Sequence, residues 1–226
     1  MIQRPTTTLT SKRTNRAFTL VEIMFVIVIL GIVGAGLTSL MIDSSRSMSW
    51  SINKSLITND FRKFTGNMSR DALNASHAYL YPELGSMTRT NRRASGLSGD
   101  CLVLVSTEPW PTTNAQRYYR RIVIYYRAAG GTPNRPVFRI ERDFSIATTG
   151  TLPTNPTTIQ IETLLADQLN SFTQPETVLD LSRGLSGNQL FYRATNEAFL
   201  INGEIIHGND EQRVTNTYNL TISTRG

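Results

Sequence analysis

Phe18-Thr19-Leu20-Val21-Glu22-Ile23-Met24-Phe25-Val26-Ile27-Val28-Ile29-Leu30-Gly31-Ile32-Val33-Gly34-Ala35-Gly36-Leu37-Thr38-Ser39-Leu40-Met41-Ile42 is the stretch from which the rest of the chain can be read. Between Ile23 and Ile42 it carries no charged side chain. As a helix, about 20 such residues span about 30 Å, the thickness of a bilayer core. The β-branched run Val26–Ile29 would suit a buried strand, but the apolar segment is far too long for one. A membrane-spanning helix over 18–42 is expected.

Charge works outward from that helix. Arg4, Lys12, Arg13 and Arg16 precede it with no acid among residues 1–17, whereas Arg46 is the only basic residue just beyond it. The asymmetry predicts a cytoplasmic N-terminus and a head on the far side of the membrane. The formal charge of +6 is therefore concentrated at one end. Without residues 1–17, 19 Lys+Arg face 17 Asp+Glu, and the case for a nucleic-acid partner weakens sharply.

Glu22 tests three readings of the apolar segment. A secretory signal peptide could be cut after Val33-Gly34-Ala35. A carboxylate inside its apolar region then costs about 2.5–3.5 kcal/mol on insertion scales near a helix centre. A plain signal anchor suffers less, because Glu22 lies near the helix start. The third reading gives Glu22 a purpose. If the chain is cut between Ala17 and Phe18, a new α-amino group appears one helical turn before the acid. Amine and carboxylate can then neutralise each other, within one chain or between neighbours, and an acid in the first turn suits the helix dipole.

Arg16-Ala17-Phe18-Thr19-Leu20-Val21-Glu22-Ile23, followed directly by the apolar run, resembles the processing signal of the type IV pilin and type II secretion pseudopilin superfamily. Ala17 stands where that family usually has Gly; both are small. The resemblance implies that a prepilin peptidase removes the basic leader 1–17 and N-methylates Phe18. It implies that Glu22 registers the subunit beside a neighbour's Phe18 amine. It also implies other pilin or pseudopilin subunits and an inner-membrane assembly platform as partners. The subunit would be a structural one, a substrate of the peptidase rather than an enzyme, with no cofactor of its own.

Beyond the membrane segment, Met48, Ile52, Leu56, Phe61, Phe64, Met68 and Ala72 recur at mostly four-residue steps. They predict an amphipathic continuation of the helix over 43–81, packed on the protein's own sheet. Pro82 and Gly85 mark its end. A helix from Phe18 to Leu80 would be roughly 95 Å long. Residues 83–100 read as a loop. Strands are expected at Cys101–Val105, Tyr118–Arg127, Pro136–Phe144, Thr158–Ile161, Val178–Leu181, Gln189–Arg193, Ala198–Ile201 and Val214–Ile222. Residues 162–172 fit either a short helix or a strand. The fold class is α+β: a long N-terminal helix, then a mostly antiparallel β head over 82–226. Ile122-Val123-Ile124-Tyr125-Tyr126-Arg127, a Gly-rich tip, Phe138-Arg139-Ile140-Glu141-Arg142, and then Leu164–Phe172 are similar to the J-type pseudopilin or W-type minor pilin.

The head offers few chemical motifs. There is no phosphate loop, GxSxG elbow, HExxH or CxxC pair. Cys101 reads as a small buried strand residue. His77 reads as a solvated or capping residue near the helix end, and His207 as part of a turn; two histidines alone do not make a usual zinc site. Asn209-Asp210-Glu211 has oxygen ligands suited to calcium but no EF-hand pattern. Arg89, Arg92 and Arg93 near Tyr79 and Tyr81 form a basic patch best read as a solvated loop. No catalytic residue and no metal ligand set is assigned. The competing class is a signal-anchored extracytoplasmic enzyme or binding protein with its activity in the head.

Overall fold

The computed structural model describes residues 19–110, 113–130, 132, 134–144, 160–168, 172–195, 197–207 and 213–224. Contacts divide the chain into two units, residues 1–48 and 49–226. Helix α1, Leu20–Asn74, is 55 residues long. In the first unit its large apolar side chains, Leu20 through Ile42, are exposed on every face. In the second unit one face is buried, through Ile57, Phe64, Met68, Asp71 and Ala72.

That buried face corrects the predicted stripe. Phe61, Phe64, Met68 and Ala72 do pack inward, but Met48, Ile52 and Leu56 are exposed. The five-residue step from Leu56 to Phe61 turns the helix by about 140° beyond a full turn, so Met48, Ile52 and Leu56 lie away from the face that Phe61 and Phe64 share. The inward row runs instead through the half-buried Ser49 and Asn53 to Ile57, then Asp60 and Phe61.

The helix also ends earlier than expected. The N–H of Ser76 donates to the carbonyl of Val105 at 2.8 Å, joining the sheet. The hydroxyl of Ser106 caps the Asn74 carbonyl at 2.7 Å. Both bonds satisfy groups that a helix end leaves open. Residues 77–81, expected to be helical, form strand β1, His77–Tyr81. Leu80 packs towards α1 while Tyr79 and Tyr81 pack on the opposite face. Covered on both sides, β1 lacks the alternation by which half-buried strands are recognised.

The remaining elements are β2 (Ser98–Gly99), β3 (Cys101–Trp110), β4 (Thr113–Arg127), β5 (Arg135–Asp143), α2 (Gln160–Gln168), β6 (Glu176–Gly184), β7 (Phe191–Arg193), β8 (Ala198–His207) and β9 (Val214–Ser223). Among the described residues nine strands make one sheet, ordered β1-β3-β4-β5-β6-β8-β7-β2, with β9 also on β8. All pairings are antiparallel. The α+β class is thus as expected. Gln160 and Ile161, expected in a strand, belong to α2, and so does the start of the ambiguous 162–172 segment. Residues 158–159 and 169–171 lie outside the described residues.

β6 and β7 share one edge of β8: Ser182–Gly184 faces Ile205–Gly203, and Phe191–Arg193 faces Ile201–Phe199. Between them the chain loops out and returns against Gly184. A Cβ at Gly184 would lie 2.3 Å from the Gln189 carbonyl carbon, so only glycine fits.

Two cores sandwich the sheet. Facing α1 lie Leu80, Leu102, Leu104, Val123, Tyr125, Phe199, Ile201 and Tyr218, among others. The other face buries Cys101, Val103, Ile122, Ile124 and Phe144 against Ile161 and Leu165 of α2. The Cys101 thiol is free and buried as expected. Burial, then the neighbouring Asp100 charge, pushes its pKa well up, so it is an inert thiol.

Candidate functional site

Helix α1 starts at a polar clasp. The backbone N–H and the hydroxyl of Thr19 donate to Oε2 of Glu22 at 2.9 and 3.0 Å. The Glu22 N–H donates back to Thr19 Oγ1 at 3.3 Å. This reciprocal pair is a capping box, with the acid at the third helical position. It satisfies open donors of the first turn and places a carboxylate at the positive end of the helix dipole. The capping role of Thr19 was not expected from the sequence, although the spacing Thr-x-x-Glu carries it. Ala17 and Phe18 lie outside the described residues.

After Glu22 the helix is long and apolar enough to cross a membrane. Its best 18-residue window has a mean hydropathy of 2.7, with none of that window buried. A surface apolar on all sides has no polar face to give to water. Gly31, Gly34 and Gly36 leave open space where a Cβ would stand. The hydroxyl of Thr38 returns to the Gly34 carbonyl at 2.9 Å, so even this polar group is satisfied within the helix.

In the head, the groups singled out from sequence are committed to packing. Arg92 lies with its guanidinium carbon 4.1 Å from the Tyr79 ring centroid. Its Nε donates to Oε1 of Glu162 in α2 at 3.0 Å, and its Nη2 donates to the same oxygen. The Tyr81 hydroxyl donates there too, at 2.7 Å. Burial and the Glu162 acceptor push the Tyr81 phenol far up. Arg92 therefore holds α2 to the sheet rather than joining a solvated basic patch; Arg89 is exposed. His77 opens β1 and stacks on Tyr79 at 6.5 Å, rather than capping a helix. Burial, then the Arg117 charge, lowers its pKa.

Two buried ion-pair systems were not foreseen. On the α1 side, Arg139 Nε donates to Oδ2 of Asp71 at 2.9 Å, and the Tyr125 hydroxyl donates to the same oxygen at 2.7 Å. Arg139 and Arg121 both reach Oε2 of Glu141. At the base of the β4–β5 hairpin, Oδ2 of Asp100 accepts from Arg127 at 2.9 Å and Arg135 at 3.1 Å. Its Oδ1 accepts the Leu190 N–H at 2.9 Å. This cluster floors a cavity of 330 Å³ that Glu83 and Asn188 also line. Paired and hydrogen-bonded in this way, these buried charges tie elements together.

His207 ends β8 rather than sitting in a turn. Its Nε2 lies 2.9 Å from Oδ2 of Asp60 on α1. Asn209-Asp210-Glu211 lies outside the described residues.

Residues 12–38 match the family model described as the prokaryotic N-terminal methylation motif. No curated protein and no solved structure matches the chain. The match supports the type IV pilin and pseudopilin superfamily and a pilin-type substrate of prepilin peptidase. Together with the apolar helix, it supports a membrane-anchored pilin-type protein. It implies assembly with other pilins and suggests a structural subunit.

Proposed function

We propose that this chain is a minor pilin or pseudopilin, of the J-type pseudopilin or W-type minor-pilin kind. It would be incorporated into a type IV pilus or a type II secretion pseudopilus. The observation that carries the reading is the coincidence of three features at one end. The methylation-motif match spans residues 12–38. The helix there is exposed and apolar on every face. Its first turn holds a single acid, Glu22.

In this reading prepilin peptidase hydrolyses the amide between Ala17 and Phe18. The leader leaves with a new carboxylate at Ala17, and the subunit keeps a new amine at Phe18. S-adenosylmethionine then gives one methyl group to that amine. Before assembly the chain crosses the inner membrane once, with its N-terminus cytoplasmic and the 82–226 head periplasmic. In the filament the Phe18 ammonium of one subunit meets the Glu22 carboxylate of another. An unpaired carboxylate is costly in lipid, so the pairing favours extraction into a packed bundle of helices.

Intact-mass measurement on the protein from cells that contain a prepilin peptidase tests the reading. The expected mass lacks residues 1–17 and carries one extra methyl group. Retention of residues 1–17, or cleavage after Ala35, overturns it in favour of a signal anchor or an ordinary signal peptide.

A further inference from the structure

We propose that Asp60, Asp180 and His207 form a binding site for one borderline divalent cation of the zinc type, which clamps α1 to the sheet. One ligand atom from each residue lies within 4.8 Å of the other two. The three come from three different elements: α1, β6 and β8. Nothing in the filament role of the N-terminal helix requires them, so the proposal stands apart from that reading.

Each residue is placed by the fold rather than by chance proximity. Asp60 belongs to the row of α1 that runs from Ile57 to Phe64 and faces the sheet. A carboxylate there occupies a place where the periodicity calls for an apolar side chain. Asp180 and His207 are set by strand register. Ser182 pairs with Ile205 in the antiparallel β6–β8 ladder. Carried two residues further, the same register puts Asp180 opposite His207, on the side of the sheet where Ile205 packs towards α1. Asp60 then closes the group from the helix, with its Oδ2 at 2.9 Å from His207 Nε2.

The donor set selects the cation. One imidazole nitrogen and two carboxylate oxygens suit zinc and its neighbours, whereas calcium and magnesium take oxygen ligands. Ligand bonds of about 2.0–2.2 Å put neighbouring donors of one zinc roughly 3–3.5 Å apart. The 2.9 Å approach of Asp60 to His207 is already at that spacing, and Asp180, within 4.8 Å of both, needs a shift of at most about 1–2 Å for the same. With a neutral imidazole the site carries two negative charges, which a divalent cation cancels. The neutral imidazole binds the cation through the Nε2 lone pair with its proton on Nδ1, so the Asp60–His207 contact is exchanged for two bonds to the metal. Three protein ligands leave a fourth position for water.

The test uses the full chain in detergent, freed of metal with a chelator and titrated with zinc chloride. Isothermal titration should find one site, and the melting temperature should rise on saturation. Cobalt(II) as a replacement should give visible absorption bands. Asp180 is exposed, so Asp180→Asn should melt like the metal-free wild type yet bind zinc at least about tenfold more weakly. His207→Gln should abolish binding and the cobalt bands. Equal zinc affinity in the wild type and Asp180→Asn overturns the site. So does the absence of zinc binding in the wild type, or binding of calcium as tightly as zinc.

Discussion

Phe25 and Phe64 lie on the same helix and have opposite surroundings. Phe25 is 66 % exposed and Phe64 is 0 % exposed. Around Phe25 every neighbouring face is apolar, so no rotation of the helix could hide it from water. Around Phe64 one row is apolar and the rest is polar, and that row closes on Tyr125 and Tyr218 at ring-centroid distances of 6.2 and 5.9 Å. The contrast shows that a helix does not carry its environment in its backbone. The width of the apolar surface decides it: a stripe is buried by the protein's own sheet, and a full circumference asks for lipid or other helices.

The largest expected effect breaks the first region alone. Glu22→Gln keeps a side-chain carbonyl for the capping box but removes the charge. It should leave the head's melting curve unchanged while filament incorporation, read by sheared-filament immunoblot, falls to background. Normal incorporation of the Gln variant would remove the charge pairing and leave Glu22 as a helix cap only.

Next come two substitutions in the second region. Asp71→Ala strands the buried Arg139, whose side chain is 7 % exposed, and should cost about 3–5 kcal/mol in chemical denaturation of the head. Phe64→Ala should cost a similar amount, about 3–5 kcal/mol, through a cavity between α1 and the sheet. Phe25→Ala is the matched control, and its denaturation midpoint should equal that of the wild type. A destabilised Phe25→Ala head would erase the contrast between the two regions.

The smallest effect is a pH dependence. Burial raises the Glu141 carboxyl, but hydrogen bonds from Arg121 and Arg139 outweigh it and hold the pKa below its ordinary value of 4.5. Its folded-state pKa is depressed, so its contribution to stability is complete above about pH 4.5 and is lost as pH falls through the lower value. Melting curves between pH 7 and pH 3 should show this loss, and Glu141→Gln should flatten that part of the profile. An unchanged profile would mean that Glu141 adds nothing to the Asp71–Arg139 clamp.

Much of the head was legible. Tyr118–Arg127, Pro136–Phe144 and Val214–Ile222 announced themselves as strands, and all three are. β1 was missed because both of its faces are covered, and β2 because two residues, Ser98 and Gly99, carry no pattern. At the start of α1 the acid in the first turn was legible as Glu22, but its cap by Thr19 was not read, although the two lie only three residues apart. The clamps were not legible. Arg139 meets Asp71 across 68 residues, and His207 meets Asp60 across 147.

That distance along the chain marks the division. By itself the sequence determined what depends on neighbours within a few helical turns or a few strand positions. This covers the apolar circumference of residues 20–42, the acid in its first turn, and the alternation of the longer strands. Only the tertiary structure decided which row of α1 meets the sheet, where that helix gives way to β1, and which acids face Arg139 and His207. Those outcomes depend on register between elements, and register is set by the packing of the whole core, which no local period records.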